Sequence, residues 1–335
     1  MAIKLLTYNL WHGLSGRGFI KMSELEPRDR PHKRTLRQIE LLDEIRPDII
    51  FLQEVNPLHE KLPLFMDELN LSGEGQSDLC GVKLQFLGPP FNLNSGIALL
   101  ARPNLNFQRV TGLKLSGPLG IVGSRFAFQL QESRFALICE AQIPQLGRIL
   151  LVCTHLHHGF ELTPSLRWAL EDLVSRDVIS WRAHSEILAS SARSVARRDH
   201  ELDVLFSYLE KIQLEYDGLI LAGDLNVDPD SPMLTRLTER GLVDLAANQD
   251  LWSWDRSRNE YNMELNEAFE LPLPDFNNPQ LRQVIHDHMF RKTRLDYIFA
   301  SRNLAVNAGK CRLVGDLPEP ELIPSDHFGV LAQLC

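Results

Sequence analysis

An α/β fold is expected from three features of the chain. Short, almost wholly apolar runs at 49–52, 149–153 and 219–222 have the length and flanking residues of buried strands. Two segments carry apolar residues every three to four positions, Leu36/Ile39/Leu42/Ile45 and Leu202/Leu205/Phe206/Leu209/Ile212, and each leads as an amphipathic helix into one of those runs. The middle of the chain is strand-rich, with Gly, Pro, Asn and Ser separating segments near 83–87, 96–101, 106–114, 125–131, 135–143 and 148–154.

Taken in order, Ile3 to Tyr8 reads as a strand ended by Asn9, and Trp11-His12-Gly13 opens a polar, glycine-rich loop to about Pro31. A helix from Lys33 is closed by Pro47; a buried strand then ends in Glu54. Asn56-Pro57 has the pattern of a cap and first turn for a helix reaching about Leu69. Links such as Gln131-Glu132-Ser133 are short enough for antiparallel hairpins. Residues 159–215 turn helical, with Arg-rich patches between helices; Arg193, Arg197 and Arg198 are read as the start of the helix that leads to the 219–222 strand. That strand ends at Asp224-Leu225-Asn226 in a turn rich in Asp, Asn and Pro. Ser231-Pro232 starts another helix, and 247–292 is a long irregular excursion carrying Trp252 and Trp254. Leu295 to Ala300 is a strand containing Asp296, and Asp326-His327 precede a last strand near 328–334.

The bulk numbers restrict function. With 335 residues, 44% hydrophobic and 24% charged, the chain is ordinary globular material. A formal charge of −9 disfavours nonspecific adhesion to nucleic acid or anionic membrane. Five cysteines, odd in number and without CxxC spacing, suit a reducing compartment, so a cytoplasmic location is expected. The N-terminus shows no signal-peptide pattern, and no apolar run approaches the ~20 residues of a membrane span. No repeat, low-complexity tract or linker stands out.

Strand ends carry the chemistry. Asn9, Glu54, His155, the Asp224/Asn226 pair and Asp326/His327 each sit where an apolar strand stops, and Asp296 lies within a strand. Side chains two apart at a strand end point the same way, so Asp224 and Asn226 share a pocket while Leu225 packs behind. Each residue has an ordinary explanation when taken singly. Glu54 could favour a helix N-terminus, His155 could be a hydrogen-bonded core histidine, and Asp296 could pair with Arg294 or Arg291. The set is harder to explain that way than its members.

Six segments together, Thr7-Tyr8-Asn9, Leu52-Gln53-Glu54-Val55, Thr154-His155-Leu156, Gly223-Asp224-Leu225-Asn226, Arg294-Leu295-Asp296-Tyr297 and Ser325-Asp326-His327, resemble the endonuclease/exonuclease/phosphatase superfamily in identity and order. The resemblance covers the chain end to end. It implies a four-layer α/β/β/α sandwich of two packed, mostly antiparallel sheets with flanking helices. It also implies one catalytic domain over 1–335, with a helical insertion at about 159–200 and a long loop at about 247–292. The implied activity is Mg²⁺- or Mn²⁺-dependent hydrolysis of a phosphoester, a phosphodiester being favoured. Glu54 is then the leading metal ligand, with Asn9, Asp326 and Asp224; Asn9, Asn226 and Arg197 would contact substrate. His155 would donate to a phosphate oxygen, and His327, oriented by Asp296, would act as base or phosphate partner. Asp224 and His327 remain alternatives for activating water.

One position departs from the nuclease pattern: the acid that often follows two residues after the first Asn is replaced by Trp11. Some lipid-hydrolysing relatives carry Trp near this point. His155-Leu156-His157-His158 invites zinc, but Gly159-Phe160 follows where zinc hydrolases place an Asp-His pair. A calcineurin-type site would need a downstream Gly-Asn-His segment, which the chain lacks. An inactive phosphate-binding module on the same fold is a separate class; turnover with Mg²⁺ separates it from an enzyme. The substrate stays open among nucleic acid, lipid and inositol or other small phosphoesters, the acidity favouring the smaller ones. The 159–200 and 247–292 segments are expected to shape specificity, and a monomer is expected.

Overall fold

The computed structural model describes residues 2–15, 24–25, 30–80, 83–84, 94–117, 121–122, 126–128, 133–159, 161–255, 278–289, 291–316 and 322–335. Twelve strands build two main sheets: Ile3–Asn9 (β1), Ile49–Gln53 (β2), Ser72–Cys80 (β3), Asn94–Ala101 (β4), Gln108–Ser116 (β5), Arg134–Ile143 (β6), Gly147–His155 (β7), Gly218–Asp224 (β8), Leu242–Asp244 (β9), Asp296–Ser301 (β10), Arg312–Val314 (β11) and Gly329–Leu334 (β12). The first sheet has the order β11-β12-β1-β2-β4-β3 and the second β9-β10-β8-β7-β6-β5. Each contains one parallel pair, β1/β2 and β7/β8; the other neighbours are antiparallel. A parallel pair needs a crossover, and a helix supplies it in both sheets: Arg30–Ile45 (α1) and, among others, Trp181–Ile212 (α4).

Alternation along the strands sets the layers. Leu5, Phe51 and Leu99 face Leu151, Ile220 and Ile298 across the gap between the sheets and form the central core. Leu6, Tyr8, Ile50 and Leu52 point the other way, under α1 and Leu58–Leu69 (α2). Leu150, Val152, Leu219 and Leu221 point outward under α4 and Pro232–Glu239 (α5). The result is the expected α/β/β/α sandwich. Pro164–Ser175 (α3), the first turns of α4 and Pro279–Met289 (α6) share a small core of their own, in which Leu170 and Ile187 pack on Leu281 and Ile285. The two regions singled out from sequence, near 159–200 and 247–292, therefore meet in one helical unit.

Several expectations change. α4 is one helix of 32 residues capped by Ser180, so Arg193, Arg197 and Arg198 lie within it rather than at its start. The arginines there do not mark a break, because Arg198 is buried and its guanidinium donates to the carbonyls of His157 and Gly159 (3.3 and 2.6 Å). Asn56 does not cap α2. Its amide donates to His12 O (2.8 Å), and Pro57 occupies the cap position with no side-chain bond. β3 was not foreseen: its Gly- and Ser-rich sequence has no apolar alternation, yet it forms the edge of the first sheet. A Cβ on Gly75 would lie 2.8 Å from Leu62, so the glycine lets α2 pack down on this strand. The strands expected near 83–87 and 125–131 appear at Lys83–Leu84 and Phe126–Phe128; the remainder of those segments, most of the loop before Pro31, Gln131-Glu132 and 256–277 lie outside the described residues. Among the described residues no helix is long and apolar enough to cross a membrane.

Candidate active site

The polar strand ends meet at one mouth of the inter-sheet layer. On β1, Ile3, Leu5, Thr7 and Asn9 share the inward face, so the same alternation that fills the core delivers Asn9 to its rim. On the second sheet His155, Asp224 and Asp296 form one row, His155 paired in register with Asp224 and Asp224 with Asp296. Below them Thr7 Oγ1 donates to Gln53 Oε1 (3.4 Å), a polar layer that Cys153 borders. Gly223 fixes the row: a Cβ there would lie 1.8 Å from the carbonyl oxygen of Thr154.

Asn9 joins the two sheets. Its Nδ2 donates to Glu54 Oε1 (3.2 Å) and to Asp224 Oδ2 (3.0 Å), while its Oδ1 accepts from Trp11 N (3.0 Å). Asn9 thus presents a donor to both carboxylates, and its oxygen is taken by the backbone. Glu54 follows β2 in a left-handed conformation (φ 55°), with Trp11 (57°) and Asn226 (52°) likewise left-handed; three such non-glycine residues around one site mark a backbone held by its surroundings. Glu54 Oε2 accepts from His12 N (2.8 Å), and His155 Nε2 stands 3.6 Å from Asp224 Oδ2 and 3.9 Å from Glu54 Oε1.

On the far side of Asp224, His327 Nδ1 lies 2.8 Å from Asp296 Oδ2, and its Nε2 lies 3.9 Å from Asp224 Oδ2. Asp296 therefore pairs with His327. Arg294 goes to Asp244 and Arg291 to Asp228. Ser325 Oγ donates to Asn9 O (2.6 Å) and accepts from His327 N (3.2 Å), tying the last segment to β1.

The charges are unbalanced. Burial raises the Asp224 carboxyl, and the opposing Asp296 charge takes it to about 7. Burial raises Asp326 to about 6, against His327 and with the help of Glu54. Burial also works against ionisation of Glu54, but His12 and His155 outweigh it and hold that carboxyl at about 2. Burial opposes a charge on His327; the charge and hydrogen bond of Asp296 overcome it and push the imidazole up to about 10. Four carboxylates gathered this way leave surplus negative charge, and the buried Asp296 Oδ1 has no hydrogen-bond partner among the described residues. Oxygen donors with uncompensated charge fit a hard divalent cation. Ligand atoms of Asp224, Asp296 and His327 lie within 4.8 Å of one another, but an imidazole held protonated has no lone pair to offer. Glu54 Oε1 and Asp224 Oδ2 both accept from Asn9 Nδ2, which makes them the carboxylates a cation could share.

A model of the Endonuclease/Exonuclease/phosphatase family matches residues 6–327. The chain belongs to that family. No match was found among curated proteins. Family members of known structure share the fold at low identity. An endonuclease/exonuclease/phosphatase from Bacteroides vulgatus is 15% identical with a TM-score of 0.58, covering 100% of this chain and 99% of that one. Truncated Caenorhabditis elegans TDP2 is 16% identical (TM-score 0.56; 99% and 97% covered), and D. rerio TDP2 complexed with single strand DNA product is 15% identical (0.53; 100% and 99%). Endonucleases, exonucleases and phosphatases all cut phosphoesters, and phosphoester hydrolysis is the chemistry the family name carries.

Among the residues expected from sequence, Arg197 stands apart in this family member: its Nε is held by Ser116 Oγ (3.1 Å) and Glu201 Oε1 (3.3 Å) on the outer side of the second sheet. Asn226 sits beside the row, its backbone N–H on Asp224 Oδ1 (2.9 Å) and its Nδ2 on Leu156 O (3.0 Å). His157 and His158 stay out of the row; His157 N donates to Glu201 Oε2 (2.8 Å) and His158 Nδ1 lies 3.3 Å from Arg134. Three contributors were missed. His12 holds Glu54, Ser253 Oγ accepts from the N–H groups of Leu295 and Asp296 (3.0 and 3.1 Å), and the Trp254 ring meets that of His327 edge-on at 4.9 Å. The only sequence signal for the last two was a serine between two tryptophans in an otherwise irregular stretch.

Proposed function

We propose that the protein is a divalent-metal-dependent hydrolase that cleaves a phosphodiester by attack of water, residues 1–335 acting as one catalytic domain and Mg²⁺ or Mn²⁺ serving as the ion. The observation that carries this reading is Asn9 Nδ2 set between Glu54 and Asp224, which brings the two sheets' carboxylates to one point. Glu54, ionised throughout the neutral range, would hold the ion with Asp326 and Asp224. A divalent ion held there would supply positive charge against the phosphate as it is attacked.

The protein's own groups supply the rest. Asp224, held up at about 7 in the metal-free protein by burial and by Asp296, would take the proton from the attacking water through a carboxylate oxygen not given to the ion. We favour Asp224 over His327 for this role because the charge of Asp296 holds His327 protonated, leaving its ring no lone pair with which to take a proton. The His327 imidazolium and His155 face the same space and donate to phosphate oxygens as charge develops. Asn9 positions Glu54 and Asp224; Asp296 positions His327. Asn226 shapes the turn that aims Asp224.

Purified protein incubated with Mg²⁺, Mn²⁺, Ca²⁺ or Zn²⁺ against single-stranded and duplex DNA, RNA, sphingomyelin and inositol phosphates tests this. Turnover of at least one phosphodiester with Mg²⁺ or Mn²⁺, abolished by EDTA, is expected. Equal turnover in EDTA, or none with any ion, overturns it.

A further inference from the structure

Beyond the carboxylate row the same three segments continue as the wall of a cleft of about 1080 Å³. Asp228 follows Asn226 by two residues, Thr293 precedes Asp296 by three, and Trp252 adjoins Ser253. The opposite wall is the helical unit, through Leu162, Leu188, Ala192, Val195 and Ala196. The volume is at the upper end for a site that engulfs a small organic group.

Several polar residues of this cleft are committed to the protein. Asp228 is paired with Arg291 and accepts from Thr293 Oγ1 (2.7 Å). Asp199 is paired with Arg236. Glu161 accepts from Ser231 Oγ (2.9 Å) and lies 3.7 Å from Arg198. Arg167, Asp230 and Lys292 are exposed at the rim, and Lys292 Nζ sits 5.6 Å above the Trp252 ring. Carboxylates outnumber the cations in this lining, so a second phosphate gains nothing by entering, and the aliphatic and indole surfaces remain as the available contact.

We infer that this cleft seats an uncharged, apolar arm of the phosphoester whose phosphate lies at the carboxylate row. The inference rests on the hydrolase reading for the position of the phosphate, and on the cleft itself for the arm. It gives α4 a purpose: Leu188, Ala192, Val195 and Ala196 supply an apolar wall of a cleft whose other side is built by residues that follow Asn226 and precede Asp296 in the chain.

The test uses the full chain and uncleavable alkylphosphonates, methyl to decyl, titrated calorimetrically with Mg²⁺ present. Turnover of methyl p-nitrophenyl phosphate is measured in parallel. Affinity should rise roughly threefold per added methylene while the chain enters the cleft. Ala192→Trp and Ala196→Trp place an indole in the cleft from exposed helical positions. Each should cut the advantage of decyl over methyl by about tenfold or more and leave methyl p-nitrophenyl phosphate turnover unchanged. A wild-type affinity independent of chain length, or a decyl advantage untouched in both variants, overturns the inference. Chain-length dependence that the indoles abolish, in a protein that hydrolyses no phosphodiester, keeps the apolar cleft and removes the hydrolase reading instead.

Discussion

Asp224 and Asp296 lie directly opposite one another in the β8/β10 ladder, both buried, with the His327 ring between their side chains. Like charges facing each other across a ladder destabilise it. Here the cost is offset by one imidazolium, which lies against both carboxylates. The same opposition makes Asp224 a base near neutrality, so the arrangement that strains the sheet also sets the chemistry.

Removing one charge should separate the two effects. Asp296→Asn leaves His327 without its counter-charge, and the imidazole should titrate near its ordinary 6.5 instead of about 10. Turnover should fall by about 10²–10⁴. NMR titration of the His327 ring together with kcat checks both; an unmoved titration removes Asp296 from its positioning role.

The metal-free protein should lose stability as pH rises. Asp224 and Asp326 have folded values of about 7 and 6 against an ordinary 3.8, so the fold favours their neutral forms and is penalised as pH passes from the lower value to the upper. His327, raised from 6.5 to about 10, contributes stability fully present below 6.5 and lost as pH climbs through 10. Glu54 acts in the opposite sense, but only below 4.5. Thermal melts in EDTA should therefore show Tm falling from pH 5 to 9. Saturating Mg²⁺ should flatten or reverse the slope, because ion binding needs the carboxylates ionised and releases their protons. A flat profile in EDTA contradicts this.

Ser253→Ala deletes the acceptor of two backbone N–H groups at the head of β10. Each group left unsatisfied costs about 1–3 kcal/mol. Urea unfolding should show a lowered midpoint, and activity should fall because Asp296 loses its support. A midpoint equal to wild type shows that another acceptor replaces the hydroxyl.

Gly223→Ala sets a methyl against Thr154 O and forces β7 and β8 apart. Destabilisation above about 3 kcal/mol is expected, with loss of activity from the disturbed His155/Asp224 register. A normally stable, active variant shows that this close approach does not fix the row.

The reactive row was legible because one rule generates it. A strand that buries alternate residues must aim its terminal inward residue at the mouth of the core; Asn9, His155 and Asp224 do so where their strands end, and Asp296 where its antiparallel strand begins. Glu54 and His327 lie just past strand ends, and their pairing with residues in the row completes the site. The rule has no purchase on what lies outside it. β3 is held by backbone pairing and by glycines that admit α2, and neither leaves an apolar pattern. Ser253 acts across more than forty residues through its hydroxyl. Arg197 and Arg198 read as the start of a helix, with Arg197 a substrate contact, yet Arg198 is buried against the loop after His155, and Arg197 braces β5 against Glu201. Side-chain type announces a possible contact; only the fold says which contact is made.

The account stands on Glu54 and Asp224 sharing one divalent ion, and titration of Mn²⁺ followed by its electron paramagnetic resonance signal addresses that directly. The wild type should bind Mn²⁺, with affinity rising from pH 6 to 8 as Asp224 ionises. Glu54→Gln, folded by circular dichroism, should bind it at least ~100-fold more weakly, a larger loss than the 10–100-fold typical of outer partners. Folded Glu54→Gln with wild-type Mn²⁺ affinity and wild-type turnover would contradict the account.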